Sequence, residues 1–159
     1  IMLAEGAAMA GGLGMLCAGD IVVVTEDCKF ALTETTLGIP PAQIAPFVSQ
    51  RIGLAKARRI MLTAARFTGK EAHEMGLADF VAKDADDLKV IEADIKKGVL
   101  KCAPGANAVT KEIVLATRHL TRKEMIEFAA KGFAERMLSD EGKEGISSFI
   151  EKRKPKWSK

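Results

Sequence analysis

The chain has 159 residues, of which 48% are hydrophobic and 28% charged, a balance typical of a globular protein with a hydrophobic core. The net charge of +3 is too small to indicate a nucleic-acid-binding protein, and no apolar run approaches the roughly 18 residues that cross a bilayer. Only two histidines are present, which argues against a zinc site or a histidine-based triad. The three cysteines have no paired or metal-type spacing. We therefore expect no metal, no membrane contact, and a reducing location in the cytoplasm or an organelle matrix.

The first half of the chain alternates between predicted strands and predicted helices. Apolar β-branched runs such as DIVVVTE are typical of buried strands, and helical apolar spacing follows a proline-containing loop over 33–43. Gly53 interrupts that spacing, and Thr68 with Glu71 has the pattern of a helix-capping box. Strands are predicted at 1–4, 20–26, 30–32 and 77–82, and helices at 11–18, at 43–65 with a break, and after residue 68.

The second half contains predicted helices only. Thr121 and Glu124 form a second capping box, and Ile146, Phe149 and Ile150 make one apolar stripe on the last helix. Helices are predicted at 84–101, 105–117, 121–138 and from 139 onward. The fold class is therefore α/β over residues 1–82, followed by a helical region over 83–159.

The chain ends in a basic segment, EKRKPKWSK. Such a segment is compatible with a nucleic-acid tail, a phosphate site or a solvated terminus, and isolated charge runs are usually solvated. Trp157 is the single tryptophan and lies close to Pro155, which predicts that this tail packs against other residues.

A cluster of four glycines falls within residues 6–14. Each glycine inside a helix costs about 0.5–1 kcal/mol relative to alanine, so the cluster indicates that the backbone approaches something closely. The pattern is not the dinucleotide-binding G-x-G-x-x-G, because Gly12-Leu13-Gly14 is followed by MLC. Two interpretations remain: tight packing of a strand on a helix, or a helix N-terminus whose free N–H groups face an anionic oxygen.

Glu34 is the second candidate. It follows a short predicted strand in the segment ALTETTLGIPP, which contains no basic residue. A carboxyl group with apolar neighbours such as Leu32, Leu37 and Ile39 is suited to act as an acid or base near neutral pH. The alternative is a solvated loop glutamate.

In this order, the segments resemble the crotonase (enoyl-CoA hydratase/isomerase) superfamily over practically the whole chain. The family's G-x-A-x-G-G-G run, which ends in C-D or S-D, is similar to residues 6–20, and its acidic loop is similar to FALTETTLGIP. Its connecting helices resemble RIGLAKARRIMLTAARFTGKEAHEMGLADFV, and its last helix resembles EGISSFIEKRKPKW. The resemblance implies a ββα-spiral core, of which residues 1–82 are the C-terminal part, and a helical region that forms homotrimers or hexamers.

The same resemblance implies an acyl-CoA site around the glycine cluster. Gly11 would donate one of two backbone N–H groups to the thioester oxygen, which makes it part of an oxyanion hole. Gly12, Gly14, Leu37 and Pro41 would contact the substrate, which is the acyl-CoA itself, and no cofactor is expected. The loop that supplies the second N–H in the family lies upstream of this motif, and the chain opens directly on an apolar run, IMLA. The chain is therefore expected to be the C-terminal part of a longer family member.

Only one of the family's two catalytic glutamates has a counterpart. The loop glutamate matches Glu34, whereas the position three residues after Gly11 is Gly14, which has no side chain. A hydratase that uses Glu34 alone, a Δ3,Δ2-enoyl-CoA isomerase that shuttles a proton with Glu34, and a member without the usual activity all remain open.

The segment GIPPAQIAPFV departs from the family's glycine-rich G-x-I-P-G-x-G-G-T-Q-R. It is similar to the branch that hydrates isohexenylglutaconyl-CoA, which also carries a glycine at the place of Gly14. This similarity favours a hydratase over an isomerase.

Two residues of the helical region match the family's contacts to the nucleotide end of CoA. They are Phe133 and Lys152, and a lysine suits a phosphate as a mobile point charge. In the family these contacts often reach a neighbouring subunit. Two non-catalytic alternatives are an RNA-binding member that uses lysine-rich helices, and a purely structural trimer subunit.

Overall fold

The computed structural model describes residues 1–158, and it divides the chain into two compact units, Ile1–Asp94 and the residues from Ile95 onward. The first unit contains all six strands found in the described residues, and the second contains helices. The predicted class, an α/β core followed by a helical region, is confirmed. The functional boundary predicted after residue 82 stays a prediction.

The strands of the first unit form two three-stranded sheets. One sheet is fully parallel and has the strand order β1-β3-β6. It consists of β1 (Met2–Ala4), β3 (Val22–Thr25) and β6 (Phe80–Ala82). The other sheet pairs β2 (Ala7–Met9) in parallel with β4 (Lys29–Ala31), and β4 antiparallel with β5 (Arg66–Thr68).

Helices connect these strands and complete the chain. In the first unit they are α1 (Gly11–Cys17), a 3₁₀ helix (Glu34–Leu37), α2 (Ala45–Leu62) and α3 (Gly69–Glu74). The helix α4 (Ala85–Leu100) crosses the boundary between the units. The second unit continues with α5 (Pro104–Ala116), α6 (Arg122–Leu138) and α7 (Asp140–Ile150).

The core of the first unit lies around the central parallel strand. All of β3 is buried, because both faces of a parallel strand are covered, which explains its continuous run of valines. Phe30 and Phe67 from the second sheet stack their rings with centroids 5.4 Å apart. Leu13, Ile60 and Leu77 are almost fully buried in the same region.

Local sequence signals are reproduced closely at several points. Both capping boxes are present, with Thr68 accepting from the Glu71 N–H and Thr121 accepting from the Glu124 N–H. Gly53 interrupts α2 with φ of 79° and ψ of 159°, a backbone conformation that a side chain would disfavour.

The structure corrects the predictions for four strands and one loop. The strands β2 and β5 were not predicted, because each has three residues and takes its conformation from pairing with β4 rather than from an apolar run. The predicted strand at 77–82 begins only at Phe80, and the one at 20–26 covers Val22–Thr25. The predicted loop at 33–43 contains the 3₁₀ helix.

The second unit has little buried core of its own. Of the described residues from 95 to 158, only Ala116 and Ser148 are fully buried. The predicted apolar stripe of α7 is exposed, with Phe149 85% accessible. The predicted packing of the tail is confirmed, since the Trp157 Nε1–H donates to the Lys101 carbonyl at 3.2 Å. Within residues 1–158, every helix is too short or too polar to span a membrane.

Candidate active site

Two residues predicted for the site, Gly11 and Glu34, follow paired strands at the same edge of the sheet formed by β2, β4 and β5. The strands β2 and β4 run parallel with Met9 opposite Ala31, and the N–H of Ala10 extends this pairing by donating to the Ala31 carbonyl at 3.0 Å. Gly11 follows β2 by two residues, and Glu34 follows β4 by three. Because the carboxyl ends of parallel strands lie on one side, the start of α1 and the Glu34 segment both follow the same edge of this sheet.

The backbone at the start of α1 exposes two N–H groups. The N–H groups of Leu13 and Gly14 donate to the Ala10 carbonyl at 3.1 and 3.2 Å, which leaves those of Gly11 and Gly12 without a backbone acceptor among residues 1–158. A Cβ atom on Gly11 would meet nothing within 4 Å, and one on Gly12 would meet only the Ala8 Cβ at 3.9 Å. Both glycines therefore combine an N–H group that has no backbone acceptor with open space beside the Cα atom. Their predicted contact with an oxygen stays a prediction.

Gly14 has a different environment from Gly11 and Gly12. It is buried, and a Cβ atom there would lie 2.3 Å from Cγ2 and 2.5 Å from Cβ of Ile44. Gly14 therefore permits tight packing, but against the start of helix α2 rather than against a strand, as the sequence had suggested. The role of Gly14 in substrate binding stays a prediction.

Ala10 holds an unusual backbone conformation directly before these donors. Its φ of 46° and ψ of −120° lie in a region that L-residues rarely adopt, and it stands where the family pattern has the first of three glycines. The turn at Ala10 carries the chain from β2 into α1.

Glu34 begins the 3₁₀ helix and is half-buried. Its carbonyl accepts the Ile39 N–H at 3.2 Å, and the Thr35 hydroxyl fastens the segment to α2 by donating to the Met61 carbonyl at 3.0 Å. The Oε2 atom of Glu34 is buried, and no group within residues 1–158 forms a hydrogen bond with it. Buried carboxylate oxygens are normally paired, so this atom is suited to take up a proton-bearing partner.

The apolar surroundings expected for Glu34 are only partly present. Leu32 is buried, whereas Leu37 and Ile39 are 74% and 55% accessible. Pro41 is half-buried, and its carbonyl accepts the N–H groups of Ile44 and Ala45. The exposed Leu37 lies on the 3₁₀ helix that Glu34 begins, so both belong to one short segment.

The two predicted CoA contacts lie in the second unit. Phe133 is 67% accessible and lines a cleft of about 390 Å³ between α5, α6 and α7, which Trp157 also lines. Lys152 is exposed just after α7, with φ of 53°. Both residues belong to the second unit, and their contacts to CoA stay predictions.

Two further residues of the candidate site were not identified from the sequence. They are Ala10, whose strain is visible only in the backbone, and Ile44, which fills the space beside Gly14. The sequence feature that could have indicated Ile44 is the departure of GIPPAQIAPFV from the family's glycine-rich pattern. No group of three or more His, Cys, Asp or Glu side chains within residues 1–158 is arranged to hold a metal ion.

Comparisons with known proteins show the family to which the chain is similar. The sequence profile of a family described as enoyl-CoA hydratase/isomerase matches residues 1–159. A "Probable enoyl-CoA hydratase" of Bacillus subtilis is 34% identical over 96% of this chain and 60% of its own length. A peroxisomal Delta(3,5)-Delta(2,4)-dienoyl-CoA isomerase of Arabidopsis thaliana is 30% identical over 98% of this chain and 56% of its own length.

A solved structure is similar at higher identity. Pseudomonas aeruginosa AtuE is 46% identical and superposes with a TM-score of 0.97 over 99% of this chain and 61% of that one. The chain therefore spans about 60% of the length of the relatives that it matches.

Proposed function

Because the chain belongs to the enoyl-CoA hydratase/isomerase family, we propose that it acts on an acyl-CoA thioester as a hydratase-type lyase, with Glu34 as acid and base and Gly11 as an oxyanion donor. The observation that carries this proposal is the buried, unpartnered Oε2 of Glu34 at the sheet edge where the Gly11 N–H is also free. Water addition to a conjugated thioester needs both groups.

Gly11 would stabilise the charge that develops on the thioester oxygen. Attack at C3 shifts electrons onto that oxygen, and an N–H donor binds the resulting enolate more strongly than the neutral thioester. The open space where a Cβ of Gly11 would lie allows the thioester to approach the backbone. Loss of such a donor typically lowers the rate by about 10²–10³-fold.

Glu34 would carry out both proton transfers. Its carboxylate takes a proton from water as the water oxygen bonds to C3, and the resulting acid returns that proton to C2 of the enolate. The C2–C3 double bond is consumed, and one molecule of water is added. The similarity of GIPPAQIAPFV to the isohexenylglutaconyl-CoA hydratase branch makes that thioester our proposed substrate.

A Δ3,Δ2-enoyl-CoA isomerase is the second candidate. The observation in its favour is Gly14, which leaves a single carboxylate in the motif. Glu34 would then remove a proton from C2 and return it to C4, with no water added. The similarity to a dienoyl-CoA isomerase is consistent with this alternative.

We further propose that the protein works as a homotrimer or hexamer, in which Phe133 and Lys152 contact the nucleotide end of CoA. The support is the large exposed apolar surface of the second unit, where side chains such as Phe149 and Leu138 are 85% and 74% accessible. The non-catalytic alternative, RNA binding, predicts affinity that falls steeply with salt concentration.

The test uses the full natural chain and a panel of enoyl-CoA thioesters in H₂¹⁸O, followed by mass spectrometry. We expect a product heavier by one labelled water, and a loss of about 10²–10⁴-fold in rate for Glu34→Gln. Glu26→Gln, which changes an exposed glutamate of the same unit, is the matched control. A product of unchanged mass with a moved double bond would establish the isomerase, and no conversion would exclude both enzymes.

A further inference from the structure

Two separate departures from the family pattern meet in the structure. The sequence has Gly14 where the pattern has a glutamate, and it has Ile44 in a segment where the pattern is rich in glycine. The two residues are far apart in the chain, but Ile44 occupies the space into which a side chain at position 14 would project. They therefore form one compensated change rather than two.

The distances show how completely this space is filled. A Cβ atom at position 14 would be 2.3 Å from Cγ2, 2.5 Å from Cβ and 3.6 Å from Cα of Ile44. A rotation about χ1 could move Cγ2 away, but Cβ is fixed by the backbone. Only a glycine at position 44 would leave ordinary van der Waals contact, because Cα alone lies beyond 3.4 Å.

Ile44 is held in this position by its own backbone and packing. It is the N-cap residue of α2, its N–H donates to the Pro41 carbonyl at 3.2 Å, and its carbonyl accepts the Val48 N–H at 3.1 Å. Its side chain packs against the buried core of the first unit. A shift of Ile44 to admit a side chain at position 14 would therefore disturb the start of α2.

Position 14 lies one helical turn after Gly11, so the two residues share a face of α1. We propose that Ile44 is a specificity-determining residue of this site: it replaces the second acidic side chain by hydrocarbon and leaves Glu34 as the single carboxylate for proton transfer. This proposal rests on the proposed function for its catalytic meaning, but the pairing of Gly14 with Ile44 is independent of any activity.

The packing is tested by thermal unfolding of matched variants of the full natural chain. Gly14→Ala is expected to lower Tm by roughly 3–10 °C in the wild-type background, since it overpacks the core. The loss of Tm caused by Gly14→Ala should be smaller in the Ile44→Ala background, where residue 44 retains Cβ, and should vanish in the Ile44→Gly background. Gly12→Ala, whose Cβ would meet only one atom near 4 Å, is the control without coupling. An equal loss of Tm in all three backgrounds would overturn the pairing.

The catalytic meaning is tested with the variant Gly14→Glu/Ile44→Gly. If the side chain at position 14 faces the site, the pH profile of kcat/KM gains one ionisation relative to the wild type, whereas Ile44→Gly alone adds none. A folded double variant with an unchanged profile would overturn the assignment of Ile44. A wild type that converts no thioester would instead overturn the proposed function, and the unfolding experiment would still decide the pairing.

Discussion

Arg153 binds the carboxylate of Glu144 with two hydrogen bonds, of 2.6 and 3.1 Å. The same carboxylate accepts the backbone N–H of Lys156 at 3.0 Å, so α7 is joined directly to the tail that follows it. The tail then places Trp157 against Gly145 and the carbonyl of Lys101. A bidentate arginine–carboxylate pair fixes geometry as well as charge, and here it fixes the direction of the last residues.

This pair predicts a dependence of tail docking on pH. The hydrogen bonds from Arg153 lower the pKa of the Glu144 carboxyl from 4.5 to about 2. A carboxyl whose pKa is lowered on folding contributes stability that is fully present above pH 4.5 and is lost as the pH falls towards 2. We therefore expect the fluorescence of Trp157, the single tryptophan, to change through this acidic window.

The variant Glu144→Gln should already show the undocked fluorescence at neutral pH. Glu135→Gln is the control, because Glu135 is exposed and its ion pair with Lys131 spans 4.0 Å. Coincident titration curves for the wild type and Glu144→Gln would contradict the proposed role of this pair.

Arg51 predicts a second effect, on the stability of the first unit. Its guanidinium donates to the carbonyls of Leu77 and Gly19, at 2.5 and 3.0 Å, and to the Asp79 carboxylate. Arg51 meets these acceptors with three different nitrogens of its planar guanidinium, whereas the donors of a lysine all lie on one nitrogen, so Arg51→Lys should lower the free energy of unfolding by about 2 kcal/mol. Urea denaturation measures this loss, and Arg58→Lys at an exposed position of the same helix should change little. Equal effects of the two substitutions would refute the argument.

Local rules explain which parts of the fold could be predicted from the sequence. The capping boxes at Thr68 and Thr121 depend on residues three positions apart, and the buried strand β3 has a continuous apolar run. The strands β2 and β5 have no comparable signal, because three-residue strands are defined by their partner in the sheet. Pairing with β4 is a tertiary contact that composition does not encode.

In the candidate site, too, local sequence features could be predicted and tertiary contacts could not. Gly11 and Glu34 could be proposed from the sequence because a glycine cluster and a loop glutamate match the family's pattern. The contact between Gly14 and Ile44 was not, since it joins the N-terminal part of one helix to the start of another after a long intervening segment. The strain at Ala10 was also invisible, because alanine gives no signal of positive φ.

That strain leads to a prediction of increased stability. Ala10 has φ of 46° and ψ of −120°, a conformation that costs an alanine on the order of 1–3 kcal/mol and a glycine much less. After the greater entropy of glycine in the unfolded chain is subtracted, Ala10→Gly should raise the free energy of unfolding by about 1 kcal/mol. Ala18→Gly, at an exposed residue with φ of −78°, should instead lower it by about 0.5 kcal/mol. Urea unfolding of both variants decides the point, and a loss of stability in Ala10→Gly would show that the turn is not strained.

Gly69 and Gly98 give the last prediction, in which the same substitution has opposite effects. A Cβ atom on Gly69 would lie 1.9 Å from the backbone carbonyl oxygen of Thr25, in the central strand of the parallel sheet. A carbonyl in a sheet cannot move aside, so Gly69→Ala should destabilise the protein by about 3 kcal/mol. Gly98 lies exposed within α4 with nothing within 4 Å of its Cβ position, so Gly98→Ala should stabilise by about 0.5–1 kcal/mol. Thermal unfolding compares the two variants, and a Gly69→Ala protein as stable as the wild type would mean that α3 can shift away from β3. The contrast separates a glycine required for close approach from one that only lowers helix propensity.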